Sequence, residues 1–102
     1  MTDQRLTDEL ATRVLGWKPS SDRFVKPGRG WLPRWRFRPL EEITDALRLL
    51  DAATQHYILK SDGPTFTADV EINSRRGKAS GRCKAKTISV AVARAMGLEV
   101  SR

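Results

Sequence analysis

The chain opens with apolar residues at a spacing of four, at Leu6, Leu10 and Val14. This spacing places them on one face of a helix, which we predict over residues 2–15. Thr2 is the predicted N-cap, because its side-chain oxygen can accept a hydrogen bond from a backbone N–H group of the first turn. Gly16 can adopt the left-handed conformation that often ends a helix, so the helix is expected to stop there.

Two later segments repeat the apolar spacing of an amphipathic helix. We predict the first over residues 39–56, where Pro39 suits the first helical position. Its apolar stripe comprises Ile43, Leu47 and Leu50, with Ala46 and Ala53 beside them. We predict the second over residues 87–96, with Thr87 as its N-cap and Gly97 ending it. Its apolar face comprises Ile88, Ala91, Val92 and Ala95.

Between these two helices the pattern changes to alternation with period two, which is typical of strands with one buried face. Alternation is clearest over residues 65–72, where one face comprises Phe66, Ala68, Val70 and Ile72. We predict flanking strands at residues 57–60 and 78–84, joined by turns at 61–64 and 73–77. The order of elements predicts an α+β fold: one small antiparallel sheet of three to four strands, packed with three helices in a single domain over residues 1–102.

Residues 18–39 interrupt this regular pattern. They contain four prolines and two glycines, so we predict a long loop with little regular structure and a short strand near residues 35–37. We expect Trp31, Trp35 and Phe37 to anchor the loop to the core. Alternation in an extended segment would then place Arg34, Arg36 and Arg38 together on its solvent side.

The charge of the chain indicates that it is a binding protein. The 102 residues carry a net charge of +7. Two basic blocks, residues 18–39 and 73–86, flank a middle segment rich in acids, which favours an anionic macromolecule as partner. The candidate partner-binding residues are Lys26, Arg29, Arg34, Arg36, Arg38, Arg75, Arg76, Lys78, Arg82, Lys84 and Lys86. Folding could join the two blocks into one bipartite surface.

Candidate catalytic chemistry is sparse, so we predict that the chain is not an enzyme and holds no cofactor or metal. His56 is the only histidine, and it is expected to be a partly exposed residue at a helix–strand junction. Cys83 is the only cysteine, and its place in the strand pattern predicts a buried, unreactive thiol. The glycines at residues 28 and 30 lack the Gly-Lys-Ser/Thr ending of a phosphate-binding loop.

Three segments resemble the phage ABA sandwich domain family of small bacteriophage proteins. They are Leu15-Gly16-Trp17, the helix that contains Ala46-Leu47, and the alanine-rich helix from Ala85 to Gly97. The resemblance implies an α/β/α arrangement, a phage origin and the cytoplasm of a bacterial host, but it supplies no catalytic or ligand-binding residues. The chain departs from the family pattern in its strong basic charge and in the sequence Arg38-Pro39-Leu40-Glu41.

Two functions follow as expectations. The first is a phage accessory protein that binds and modulates a host macromolecule through its basic surface, for example an inhibitor of a bacterial defence system that binds an acidic protein face. The alternative is a nucleic-acid-binding protein that contacts the phosphate backbone by charge. No apolar run approaches the roughly 20 residues of a membrane helix, so no membrane partner is expected. A homodimer is compatible with the sequence.

Overall fold

The chain is described by a computed structural model that covers residues 2–28, 30–98 and 100. Its three α-helices are α1 (Asp3–Leu10), α2 (Ile43–Ala53) and α3 (Lys84–Ala95). A small antiparallel sheet contains β1 (Lys18–Pro19), β2 (Arg23–Val25) and β3 (Trp31–Pro33), and a larger one contains β4 (His56–Asp62), β5 (Thr65–Ile72) and β6 (Arg75–Gly81). The order of helices and longer strands confirms the predicted α+β fold.

The first helix begins as the sequence predicts. The Thr2 side chain accepts a hydrogen bond of 3.1 Å from the Arg5 N–H group, and Gly16 has a φ of 73° at the C-terminal end. Residues Ala11–Leu15 form a π-helical turn, with the Gly16 N–H group bonded to the Ala11 carbonyl. Trp17 follows directly and is buried in the core.

Helix α2 is shorter than predicted, and it presents a different face to the core. Residues 39–42 form a turn instead, in which the Arg38 carbonyl accepts the Glu42 N–H group at 2.7 Å. The Asp45 carboxylate accepts a hydrogen bond of 2.9 Å from the Arg38 N–H group. This bond holds the side of α2 that carries Asp45 toward the core. Ala46 and Leu50 of the predicted stripe are buried, together with Asp45 and Leu49, whereas Ile43 and Leu47 are exposed, contrary to the prediction.

Strand β5 lies between β4 and β6, and its alternation is as predicted, with Phe66, Ala68 and Val70 buried. Strand β6 starts three residues earlier than predicted. Asn73 and Ser74 both adopt positive φ angles, which allows a two-residue turn where a longer one was expected. The shift moves Cys83 out of the sheet to an exposed position before α3, so the prediction of a buried thiol is wrong. Helix α3 likewise begins at Lys84 rather than at Thr87.

Helix α3 is the centre of the molecule. It packs on β5 and β6 with one side and on α2 with another, and most of its residues are buried. The opposite face of the sheet is exposed in the described part of the chain, as the 58% exposure of Ile58 illustrates. The layers are therefore sheet, α3 and α2, which differs from the α/β/α arrangement that the family resemblance implies.

Gly77 lies where α3 crosses β6 most closely. A Cβ atom at this position would overlap the Ala91 carbonyl oxygen and the Ala95 backbone nitrogen. Only a residue without a side chain fits between the strand and the helix backbone.

Residues 18–39 are more regular than predicted. The three short strands β1 to β3 pair in order, and the strand expected near residues 35–37 is replaced by a 3₁₀ turn at Arg34–Arg36. The prolines are tolerated because Pro19 and Pro33 lie at strand ends. Gly28 and Gly30 provide positive φ angles between β2 and β3.

An aromatic cluster anchors this small sheet to the helices. The rings of Trp17, Phe24 and Phe37 lie 5.0 to 6.0 Å apart, in tilted and edge-to-face contacts. Phe24 and Phe37 are almost completely buried. The segment is therefore fixed to the common hydrophobic core of the molecule through these aromatic rings.

Candidate interaction surface

Two tryptophans within residues 18–39 are exposed, Trp31 in β3 and Trp35 in the 3₁₀ turn that follows it. Trp31 is 55% exposed and Trp35 is 71% exposed, so the prediction that they anchor the loop is wrong. The strand register explains the orientation of Trp31. Phe24 pairs with Leu32 on the inner face, which leaves Trp31 opposite Val25 on the outer face.

Each exposed tryptophan has an arginine beside it. The guanidinium carbon of Arg23 lies 4.3 Å from the centre of the Trp31 ring, and that of Arg36 lies 5.5 Å from the Trp35 ring. Both distances are within the range of a cation–π interaction. We use the term tryptophan surface for these two exposed tryptophan–arginine pairs, Trp31 with Arg23 and Trp35 with Arg36, together with Val25 beside Trp31.

A carboxylate also binds Arg23. Its Nη2 atom donates to Asp22 Oδ2 at 3.0 Å. This hydrogen bond lowers the pKa of Asp22 and raises that of Arg23. The pair stays ionised near neutral pH, so Arg23 presents its charge to solvent together with a neighbouring negative charge.

Beside Trp35 the surface opens into a shallow groove of about 360 Å³. Its charged lining residues are Arg36, Arg38, Glu42, Asp45 and Arg48. Arg48 lies outside both basic blocks of the sequence, and only the fold brings it to this site. The groove therefore mixes positive and negative charge around an exposed aromatic ring.

Arg34 is half-buried and makes structural contacts, although the sequence predicts it on the solvent side of the segment. Its Nη1 and Nη2 atoms donate to the two carboxylate oxygens of Asp8, at 2.8 and 3.1 Å, and its Nε atom donates to the Ser20 carbonyl at 2.6 Å. The guanidinium also lies 4.8 Å from the centre of the Phe24 ring. Arg34 thus ties the small sheet to α1.

Replacing Arg34 by Ala should therefore destabilise the fold. Hydrogen bonds to charged groups contribute roughly 1.5–3 kcal/mol, and we expect a loss of free energy of unfolding in this range. Arg36→Ala is the matched control, since Arg36 is exposed in the same turn, and its effect should stay within about 0.5 kcal/mol. Urea denaturation measures both, and equal stability of the two variants would show that Arg34 has no structural role.

The remaining predicted residues of the first block have varied surroundings. Arg38 forms an ion pair with Glu41, three residues along the chain. Lys26 lies 5.5 Å from the centre of the buried Trp17 ring. Arg29 lies outside the described residues.

The second basic block is divided between two places. Arg76 lies on the exposed face of the sheet, 3.4 Å from Asp69 and 4.0 Å from Glu71, and Lys78 pairs with Asp69 in the strand register. Arg75 stands at the start of the same strand. The others, Arg82, Lys84 and Lys86, flank the beginning of α3.

Among the described residues, no side-chain hydrogen bond or ion pair joins residues 18–39 to residues 73–86, and the two contacts closest to such a connection each involve a residue outside the blocks. The Ser89 hydroxyl donates to the Pro39 carbonyl at 2.8 Å, and Cys83 Sγ lies 3.7 Å from the Leu40 carbonyl. Arg75 lies at the opposite end of a seven-residue strand, roughly 20 Å away along β6. In addition, Asp3 and Asp8 of α1 pair with Lys86 and Arg34. The basic residues therefore form separate patches.

The described residues give no support for metal chemistry. They contain no group of three or more His, Cys, Asp or Glu side chains that could hold a metal ion. His56 is exposed at the start of β4, as expected. Within the same residues, every helix is too short or too polar to cross a membrane.

Comparison with known proteins gives a structural relative. The chain is similar to the crystal structure of a phage protein from Bacillus cereus ATCC 14579, with a TM-score of 0.77 and 14% sequence identity. The match covers 99% of this chain and 93% of that one. At this identity the likeness establishes a shared fold. No family model and no curated protein matches the chain, so the resemblance to the phage ABA sandwich domain family stays a prediction.

Proposed function

We propose that the chain is a non-enzymatic binding protein whose tryptophan surface docks on a face of another protein that carries acidic side chains together with some basic ones. The observation that carries this proposal is the exposure of Trp31 and Trp35, each beside an arginine. Tryptophan and arginine are the residues most enriched among those that dominate protein–protein affinity. In this segment Phe24 and Phe37, and neither of these tryptophans, are buried in the core, so both tryptophan rings are free to contact a partner.

The charges around the surface favour a protein partner over a nucleic acid. Asp22 lies against Arg23, Glu41 against Arg38, and Asp45 and Glu42 line the groove beside Trp35. These carboxylates would repel a phosphate backbone. A protein surface can present both signs of charge and can match such a pattern.

A phage origin is part of the proposal. The structural neighbour is a phage protein, and three sequence segments resemble a phage domain family. We therefore place the chain among phage accessory proteins that bind and modulate a host macromolecule in the bacterial cytoplasm, as inhibitors of defence systems do. Such a protein acts by covering a surface of its target, which needs no catalytic residue.

Replacing Trp35 by Ala should weaken partner binding by about 2 kcal/mol, or roughly 30-fold, because the ring would be buried at the centre of the interface. The test isolates a partner from nuclease-treated host lysate and then measures the affinity of purified components by calorimetry. Tyr57→Ala is the matched control, because Tyr57 is also an exposed aromatic residue but lies on β4. Equal affinity of the two variants would refute the proposal.

Nucleic acid is the second candidate, because an exposed tryptophan ring can stack on an unpaired base. The dependence of binding affinity on salt concentration distinguishes a nucleic-acid partner from a protein partner. Binding to single-stranded nucleic acid should weaken with a log–log slope of about −0.7 for each phosphate contact. Tight, steeply salt-dependent binding of an oligonucleotide that is lost in Trp35→Ala would favour this candidate over the protein partner.

A further inference from the structure

A second cleft lies on another side of the molecule, between β6 and α3. Its volume is about 260 Å³. Ser80 and Gly81 line it from the strand, and Lys86, Val90 and Arg94 line it from the helix. Arg82 and Cys83 close the end where the strand leads into the helix. We call this cleft the basic groove.

The basic groove differs from the tryptophan surface in its charge. Three cationic side chains line it, those of Arg82, Lys86 and Arg94, and none of its described lining residues carries a carboxylate. Arg94 is held in place by a hydrogen bond of 2.7 Å from Nη1 to the Lys78 carbonyl. Asp3 approaches Lys86 only to 3.9 Å, and its side chain is largely exposed, so it neutralises the groove weakly.

A buried hydroxyl group opens into the basic groove. Thr87 is only 4% exposed, yet its Oγ1 atom makes no hydrogen bond to another described residue. Every fully enclosed side-chain polar atom of the described residues has a partner, so this hydroxyl must reach the groove. A Cβ atom at Gly81 would lie 3.0 Å from Thr87 Oγ1, so the absence of a side chain there leaves space in front of the hydroxyl.

The first turn of α3 adds donors at the same end. Cys83 occupies the N-cap position and provides no side-chain hydrogen bond to the helix. The first N–H groups of a helix have no partner within it, and together with the helix dipole they favour an anion. The Thr87 hydroxyl and the side chains of Arg82 and Lys86 therefore line the end of the groove where α3 begins, and Arg94 lines it further along the helix.

We propose that the basic groove binds a phosphate group. Tetrahedral phosphate has several acceptor oxygens, and it matches a site that offers positive charge and a hydroxyl donor and has no lining carboxylate among the described residues. The phosphate could be that of a small molecule or of a nucleic-acid backbone, and the recognition would be the same. This site is separate from the tryptophan surface, so either proposal can fail without the other.

Cys83 supplies a direct test, because it is the only cysteine, it is exposed, and it lines the groove. The rate of its reaction with a thiol reagent is measured in inorganic phosphate, in a mononucleotide and in a short single-stranded oligonucleotide, each against potassium chloride at equal ionic strength. We expect phosphate-containing ligands to slow the reaction several-fold. Protection by all three would identify the phosphate group itself as the ligand, and protection by the oligonucleotide alone would identify a nucleic-acid backbone.

Substitutions of groove residues test whether the protection of Cys83 depends on the groove itself. Lys86→Gln and Thr87→Val should each need roughly tenfold more ligand for the same protection, because each removes one donor to the anion. Lys60→Gln is the control, since Lys60 is exposed on β4. Each variant is compared with and without ligand, after its melting curve shows that it is folded. Equal rates in phosphate and chloride, or equal protection of Lys86→Gln and Lys60→Gln, would overturn the proposal.

Discussion

Gly77→Ala should lower the free energy of unfolding by about 3 kcal/mol or more, which makes it one of the two most damaging substitutions that we expect. The added methyl group would overlap the Ala91 carbonyl oxygen and the Ala95 backbone nitrogen, and it would lie 3.0 Å from Ala95 Cα. These are backbone atoms of the central helix, so no side-chain rotation can relieve the overlap. Helix α3 would have to move away from β6 and would disturb its contacts with α2.

Urea denaturation followed by circular dichroism gives the free energy of this variant. Lys78→Ala is the matched control, because it introduces the same residue one position later, on the exposed face of the same strand. Its effect should stay within about 0.5 kcal/mol. If Gly77→Ala were as stable as the control, the close approach of α3 to β6 would be wrong.

Phe24→Ala should be similarly damaging, with an expected loss of about 3–5 kcal/mol. The Phe24 ring is fully buried and contacts Trp17, Phe37 and the guanidinium of Arg34. Its removal leaves a cavity at the point where the small sheet joins the helices. Because a domain of this size is stable by roughly 5–15 kcal/mol, this loss is a large fraction of the total.

Val25→Ala is the control for this variant, since Val25 is adjacent in β2 and 41% exposed. We expect an effect below about 0.5 kcal/mol. Thermal unfolding measured by the fluorescence of the tryptophans compares the two. Equal melting temperatures would mean that the Phe24 ring does not hold residues 18–39 to the helices.

The sequence predicts the elements whose pattern is local. Alternation over β5 and the apolar face of α3 are read from spacing alone, and both agree with the structure. The predicted ends of strands and helices are wrong where the length of a turn determines them. Nothing in the composition of residues 73–77 distinguishes a five-residue turn from the two-residue turn at Asn73 and Ser74, and this difference moves both β6 and the start of α3.

The candidate surface is harder to predict, because it depends on which aromatic residues the core accepts. Residues 18–39 contain four large aromatic residues, and the sequence does not show which of them are buried. They are Phe24, Trp31, Trp35 and Phe37. Only the pairing of β2 with β3 places Phe24 inward and Trp31 outward, and short strands with prolines at their ends carry no readable alternation. The sequence predicts Arg34 on the surface, but Arg34 instead pairs with Asp8, whereas Arg48, for which the sequence predicts no role, lines the groove, because tertiary contacts decide both positions.

The most direct test of the central claim is the exposure of Trp31 and Trp35 in a purified complex with the protein partner. Acrylamide quenching of tryptophan fluorescence, applied to the variant Trp17→Phe with a partner or partner fragment that lacks tryptophan, reports on these two residues alone. In the unbound chain both rings are accessible to the quencher, at 55% and 71% exposure. The account predicts that binding protects them strongly, and quenching that is unchanged in the complex would contradict it.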